Sequence, residues 1–384
     1  MDLTHSPQVE AFRAEARDWL RTHVPTDPLP SLETREGFAA HREWEARLHA
    51  DRWSVVSWPT EYGGRGADLE RWLVFEEEYW RAGAPGRVSQ NGINLLAPTL
   101  FDHASAEQRA RVLPPMAGGD VVWAQAWSEP EAGSDLASLR SRARRTDGGW
   151  LLTGQKTWSS RAAFADRAFG IFRTDPDAPQ PHQGLTYLMF DLRAPGVTVR
   201  PIGRLDGKPA FAELFLDRVF VPDEDVIGEP GQGWRIAMST TGNERGLTLR
   251  SPGRFLASAE RLVRLWRAQG DPCDSRDTAT GAGVADAMIG ARAYQLFTWA
   301  NASRFAAGET IGAESSLNKV FWSRYDIALH ETALDLLGPD AELADGPWAE
   351  PWLFSLAGPI YAGTNEIQRD IIAERLLGLP KGRR

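Results

Sequence analysis

The chain has a single cysteine, Cys273, in 384 residues, which excludes an intrachain disulfide framework and a cysteine-rich metal site and points to a reducing compartment. No stretch approaches the ~18 apolar residues of a membrane span. The opening segment MDLTHSPQVEAFRAEARDWL lacks the basic and continuously apolar regions of a secretory signal, so a cytoplasmic protein without membrane attachment is expected. Positive charge is also in deficit: 43 Lys and Arg stand against 52 Asp and Glu, a net charge of −9, which argues against a protein that coats nucleic acid. Missing too are Gly-x-Gly-x-x-Gly after a strand, a Walker loop, His-Glu-x-x-His and Gly-x-Ser-x-Gly, so the common nucleotide, zinc-hydrolase and serine-hydrolase sites are not indicated. An anionic ligand must find a local pocket of cations or backbone amides.

Three kinds of patterning follow one another along the chain. Ser6 and Pro7 offer a helix start, and Val9, Phe12, Ala16, Trp19, Leu20 and His23 recur at three- and four-residue steps. Amphipathic segments follow at 34–50 and 68–82, separated by the turn Glu61-Tyr62-Gly63-Gly64-Arg65-Gly66. From about Val121 to Gly228 short β-type runs take over, at 150–153, 168–173, 185–192 and 212–221, with Asp147-Gly148 as a hairpin turn. Beyond Gly233 the helical period returns. Phe255, Ala259, Leu262, Val263 and Trp266 share a face, as do Leu329, Ala333, Leu336 and Leu337, a run that Gly338-Pro339 stops. The stretch 270–283 reads as a polar loop between helices, and no internal repeat is evident.

Two features carry chemistry. Ser128-Glu129-Pro130-Glu131-Ala132-Gly133-Ser134-Asp135 is a run of small and hydroxyl residues whose backbone amides can receive a phosphate, or which simply caps a turn. Sixteen tryptophans provide planar side chains for a flat heterocycle, although most belong in the core.

Several segments in order resemble the acyl-CoA dehydrogenase family over nearly the whole chain: Glu61-Tyr62-Gly63-Gly64, Ser128-Glu129-Pro130 with Ala132-Gly133-Ser134-Asp135, Gly154-Gln155-Lys156 with Trp158, Gly231-x-Gly233-Trp234, Glu244-Arg245-Gly246, and Tyr361-Ala362-Gly363-Thr364-Asn365-Glu366-Ile367-Gln368-Arg369. The resemblance implies an α+β multidomain fold, with an N-terminal helical domain (1–120), a central β-barrel-like domain (121–229) and a C-terminal four-helix bundle (230–384). It implies FAD between the last two, with Gln125, Ala126 and Ser128 against the flavin ring, Trp158 on its face and Ser160 at flavin N5. Gly133 and Ser134 fall at the FAD phosphates, with Ser134 also touching the thioester ligand. Thr364 and Glu366 fall at the adenosine. Arg245, Tyr361 and Gly363 line the substrate. For each position the alternative role is a turn or helix cap.

The family reaction removes a proton from Cα and a hydride from Cβ of an acyl thioester. In many members the base follows the Tyr of Tyr-x-Gly-Thr, and here that residue is Ala362. Other members carry the base in a Glu-Arg pair on a preceding helix, which Glu244-Arg245 matches, so the resemblance assigns Glu244 as the catalytic base. A second departure is the missing Arg-x-x-Phe-Gly motif of many homotetramers; Arg276 is the only evident cation in the corresponding stretch. Its absence resembles the actinobacterial subfamily that includes heterotetramers acting on bulky acyl-CoAs. Expected partners are an acyl-CoA or acyl-carrier thioester, an electron-transfer flavoprotein or similar acceptor, and further subunits in a homo- or hetero-oligomer, dimer or tetramer. Two alternatives stand beside the dehydrogenase: a non-catalytic subunit of a heteromer, and a flavin oxidase or monooxygenase on the same fold.

Overall fold

A computed structural model describes residues 4–245, 251–269, 278–309, 312–342 and 346–381, with the side chains of 242–245, 278 and 279 also outside the description. It is a mixed α/β structure with a helical N-terminal region, a central sheet and C-terminal helices. Five helices come first: α1 Pro7–His23, α2 Arg35–Ala50, α3 Leu69–Arg81, α4 Ala97–His103 and α5 Ala106–Ala117. The strands follow as β1 Trp123–Ala126, β2 Arg142–Thr146, β3 Gly149–Ser160, β4 Arg167–Arg173, β5 Leu185–Asp191, β6 Val197–Ile202, β7 Phe211–Pro222 and β8 Val226–Ile227. Helices α6 Gly233–Arg245, α7 Pro252–Ala268, α8 Thr278–Ala306, α9 Glu314–Leu337, α10 Ala349–Ser355 and α11 Asn365–Ile371 complete the described chain. No helix among the described residues is long and apolar enough to cross a membrane.

The residues group into two compact units, one of Met1–Thr26, Ala67–Ala84 and Arg245–Arg384, the other of Asp27–Gly66 and Pro85–Glu244. The helical unit starts where the sequence signals it. The Ser6 hydroxyl accepts from the Val9 amide at 3.3 Å and Pro7 fills the first turn of α1, where its missing donor costs nothing. Phe255, Leu262, Ala291, Leu329 and Ala333 pack α7, α8 and α9 into one core. Ser251 caps α7 through the Gly253 amide, with Pro252 at the first position, so a new helix begins where the proline demands one.

One expectation fails here. Helix α8 begins at Thr278, within the stretch read as a loop. A Cβ at Gly283 would stand 2.9 Å from Thr332 Cγ2, so glycine is the residue that lets α8 lie close against α9, and that packing outweighs its poor helix propensity. Residues 270–277, including Cys273 and Arg276, lie outside the described residues.

In the second unit the strands form one sheet in the order β6-β7-β3-β2-β4-β5-β8, with β1 paired in parallel to β4. Asp147-Gly148 turns β2 into β3 with Thr146 opposite Gly149, and Gly148 takes φ 69°. Leu152, Phe172, Leu188, Leu214 and Val219 are fully buried in its core.

A glycine pair in the helical unit tests this packing. A Cβ at Gly253 would stand 2.6 Å from the Glu76 carbonyl oxygen, whereas one at Gly281 meets nothing nearer than 3.8 Å. Gly253→Ala should cost about 1–3 kcal/mol and lower Tm by several degrees. Gly281→Ala, at a helical site with room, should leave Tm unchanged or raise it by the equivalent of up to ~1 kcal/mol. Differential scanning calorimetry of both variants checks the contrast, and equal shifts would contradict it.

Candidate active site

In the β unit, β1 lies beside β4 with Gln125 opposite Phe169 and Ala126 opposite Gly170. A Cβ on Gly170 would stand 2.5 Å from the Ala126 carbonyl oxygen, so only glycine admits this approach. Beyond β1 the chain meets β3: the Thr157 amide donates to the Ser128 carbonyl at 2.9 Å. That bond holds the Ser128 segment beside Trp158, although thirty residues separate them in sequence.

Glu129 and Lys156 fasten the junction. Lys156, fully buried, donates from Nζ to Glu129 Oε1 at 2.9 Å, to the Ile171 carbonyl at 2.9 Å and to the Trp127 carbonyl at 3.2 Å. Glu129 also accepts the Arg140 amide at 2.6 Å and the Ser141 amide at 2.9 Å. Burial pushes the Lys156 ammonium down to about 8, with the Glu129 charge opposing the shift. Burial pushes the Glu129 carboxyl up, but the Lys156 charge and the Arg140 and Ser141 hydrogen bonds outweigh it and hold the group below the ordinary carboxylate range. The two charged residues of the Ser-Glu-Pro and Gly-Gln-Lys motifs are thus spent on each other.

Immediately after Lys156 the register of β3 against β7 shifts: Lys156 faces Leu214, and Ser159 faces Ala212. Three steps on one strand match two on the other, which is a bulge. Trp158 sits on it at φ 59°, costly for an aromatic residue, and stands 60% exposed with its ring edge-to-face against Phe211 at 5.9 Å. Ser160 is half-buried opposite Phe211. The Ser159 hydroxyl beside it is buried without a hydrogen-bond partner among the described residues, as is the Trp127 indole nitrogen. Sequence reasoning missed Ser159, and only its burial marks it. Past the turn closed by the Glu129 and Ala132 amides, Gly133 and Ser134 are exposed.

The helical unit holds the other predicted positions. Ala362 and Gly363 take left-handed conformations in succession, φ 56° and 78°, and the Gln368 side-chain amide donates to both carbonyls, at 2.9 and 3.4 Å. The Thr364 hydroxyl caps α11 by accepting from the Ile367 amide at 3.3 Å. Glu366 is exposed, its carboxyl held low first by its own backbone amide and also by Thr364. Between them Asn365 is buried and accepts Lys319 Nζ at 2.9 Å and the Ser323 hydroxyl at 3.1 Å. Tyr361 is half-buried against Trp322, with ring centroids 5.8 Å apart.

Helix α6 carries Glu244 and Arg245, whose side chains lie outside the described residues. Its start is fixed, because a Cβ on Gly233 would stand 2.7 Å from the Leu185 carbonyl group. Deeper in, a buried chain of hydroxyls anchors it: Thr240 lies 2.7 Å from the Thr99 hydroxyl and 3.3 Å from that of Tyr187. Glu244 follows Thr240 by four positions.

These residues suit a flat, polar-edged cofactor. An exposed indole plane stands beside half-buried Ser128 and Ser160, with buried polar groups still unpaired. Three family descriptions match the chain in order: acyl-CoA dehydrogenase N-terminal domain at 6–120, middle domain at 124–219 and C-terminal domain at 231–377. Acyl-CoA dehydrogenase IpdE1 of Mycolicibacterium smegmatis is 37% identical over 399 residues, spanning 97% of this chain and 98% of that protein. Among solved structures, the ChsE4-ChsE5 complex from Mycobacterium tuberculosis matches with a TM-score of 0.84 at 30% identity, covering 100% of both chains. The Tcur3481-Tcur3483 steroid ACAD matches with 0.83 at 28%, again over 100% of both.

The Glu129–Lys156 pair yields a stability test. Removing either partner leaves a buried charge uncompensated, so Lys156→Met and Glu129→Gln should each cost about 3–5 kcal/mol, and the double variant less than the sum. The depressed Glu129 carboxyl contributes stability above its ordinary value of 4.5 and loses it as pH falls through the lower folded value. Urea midpoints taken from pH 6 to pH 3 should therefore fall less steeply for Glu129→Gln than for the parent. Parallel curves would show that the pair contributes nothing to acid sensitivity.

Proposed function

Since the chain belongs to the acyl-CoA dehydrogenase family, we propose that its FAD-dependent reaction uses Glu244 as the base on an acyl-CoA with a bulky acyl group. The protrusion of Trp158 beside Ser128 is the observation that carries the flavin placement. Its backbone is unfavourable and its ring stays 60% exposed even with one edge-to-face contact to Phe211, and a stacked ring system would cover that open face. Gln125, Ala126, Ser128 and Ser160 then meet the flavin, Gly133 and Ser134 its phosphates, and Thr364 and Glu366 its adenosine. Arg245, Ser134, Tyr361 and Gly363 line the thioester. The three matched segments support domains at 1–120, 121–229 and 230–384, and we read the second as barrel-like and the third as a four-helix bundle.

FAD supplies a two-electron acceptor for the hydride leaving Cβ. The chain supplies the base. Ala362 offers no proton acceptor, so the Cα proton passes to the Glu244 carboxylate, which must come within ~3 Å of it. Electrons leave to an electron-transfer flavoprotein or similar acceptor. A hetero-oligomer, such as a tetramer, draws support from the neighbour described as the ChsE4-ChsE5 complex and from a second whose description joins two names, Tcur3481-Tcur3483. The same pairing favours a second reading, in which this chain is a non-catalytic subunit. The single cysteine supports a cytoplasmic setting.

Purified protein should be yellow, with FAD released by denaturation. Anaerobic single-turnover bleaching with a steroid-side-chain or branched acyl-CoA tests the base: Glu244→Gln should keep FAD and ligand binding and lose about 10²–10⁴-fold in flavin reduction. A rate close to the parent's removes Glu244 from the role. A kinetic preference for straight C4 to C8 chains, measured on the parent, would count against the bulky-acyl assignment.

A further inference from the structure

A second buried ion pair stands at the far end of the Trp158 segment. Arg161, the residue after Ser160, donates from Nε at 3.1 Å and from Nη2 at 3.0 Å to Glu33 Oε1, within one compact unit but across a sequence separation of 128. The Glu33 side chain is 3% exposed and that of Arg161 15%. Arg161 also takes the left-handed region, at φ 55°, as Trp158 does at 59°. The stretch from Thr157 to Ser160 therefore runs between two fastened residues, Lys156 held by Glu129 and Arg161 held by Glu33.

The Glu33 end is rigid. Its turn folds over the start of α2, where a Cβ on Gly37 would stand 1.9 Å from the Ser31 carbonyl oxygen, so only glycine admits the approach. The Ser31 hydroxyl accepts the Glu33 amide at 3.3 Å, and the Thr34 hydroxyl caps α2 by accepting the Gly37 amide at 3.1 Å. The two ring nitrogens of His41 lie 3.1 Å from the Pro30 carbonyl oxygen and 2.7 Å from that of Gly86. The Arg161 end is a turn whose amide donates to the Ala210 carbonyl at 2.8 Å and whose carbonyl accepts the Phe164 and Ala165 amides. Phe164 leans back on Phe38 of α2, with ring centroids 5.4 Å apart.

Stability alone does not account for this arrangement. A left-handed backbone suits glycine or asparagine and is costly for arginine. Burying two charges is expensive unless the remaining lone pairs are satisfied, and Glu33 Oε2 is buried without a hydrogen-bond partner among the described residues. Glycine at 161 with an apolar residue at 33 would remove all three costs. Strain of this kind persists where it holds a functional group in place, and the group beside it is Ser160. We propose that Glu33 is a positioning residue for the flavin: through Arg161 it fixes the exit of the bulge, and with it the Trp158 ring and the Ser160 hydroxyl. The inference rests on the flavin placement proposed above and adds to it a residue of the N-terminal region, outside the strand that faces the cofactor.

Hydrogen exchange on the flavin-free protein, FAD titration and anaerobic flavin reduction test this on Glu33→Gln, Arg161→Asn and the double variant. Glu33→Gln keeps the shape and removes the charge, and Arg161→Asn suits the left-handed backbone and removes the guanidinium. In Glu33→Gln the amides of 157–165 should exchange faster while those of β5 do not change. FAD should bind about tenfold more weakly, the size of a lost charged hydrogen bond. Flavin reduction by an acyl-CoA should lose about 10–100-fold in kcat, as for a small misplacement at the reacting centre, with KM within about threefold. The double variant should be no worse than the worse single, because each removes the same clamp, and it carries no lone buried charge if Arg161→Asn fails to fold. Faster exchange at 157–165 with FAD affinity and reduction unchanged would make the pair a loop contact and overturn the role. Unchanged exchange, a rise in KM alone, or additive losses in the double variant would overturn it too. A Glu33-dependent FAD affinity in a parent whose flavin no acyl-CoA reduces would support the positioning while refuting the dehydrogenase reading.

Discussion

The β half of the site depends on one buried ion pair. Lys156 directs its three N–H donors at three acceptors, and Glu129 joins it to the amides of Arg140 and Ser141, so the pair ties the exit of β1 to the start of β2, the second half of β3 and the middle of β4. Burying two charges is expensive, and such a pair is tolerated when every remaining lone pair and proton is satisfied. Here they are. The return is positional: with Lys156 pinned, the extra residue of the bulge that follows has to project, and Trp158 is the residue projected.

Much of the remaining site is made by backbone. Gly170 and Gly233 permit contacts that a Cβ would fill, Ala362 and Gly363 turn the chain in the left-handed region, and Gln368 locks that turn through two carbonyls. Motif residues that resemble ligand contacts therefore have structural duties as well. Thr364 caps a helix, and Asn365 joins α11 to α9 through Lys319 and Ser323.

The succession of helix, strand and helix was legible because each rests on local periodicity and punctuation: Ser6-Pro7 starts α1, Asp147-Gly148 turns β2 into β3, and Gly338 stops α9. Strand β6 escaped because it is an edge strand of alternating burial with Pro201 within it, a residue that ordinarily argues against a strand and is tolerated only where no sheet partner needs its amide. Strand β1 has four residues, too few for a pattern. The start of α8 escaped because Gly283 reads as a breaker unless Thr332 is known to lie against it. The motif residues were legible in the sequence, but their division of labour was not. Nothing in the linear sequence pairs Glu129 with Lys156, or exposes Trp158 while burying Ser159.

That division of labour explains how the chain tolerates Ala362. The turn bearing it is held by hydrogen bonds to its backbone carbonyls and by the buried Asn365 network, none of which involves the side chain at 362. A carboxylate at that point is an addition to the scaffold rather than a part of it, and alanine, with the smallest side chain after glycine, meets the left-handed φ at modest cost. Helix α6 is anchored earlier in its course, by Gly233 against β5 and Thr240 against Thr99. Each of the two elements is thus anchored within its own unit. The described contacts that hold each element lie away from the side chain at 362 and, in α6, at least four residues before its end.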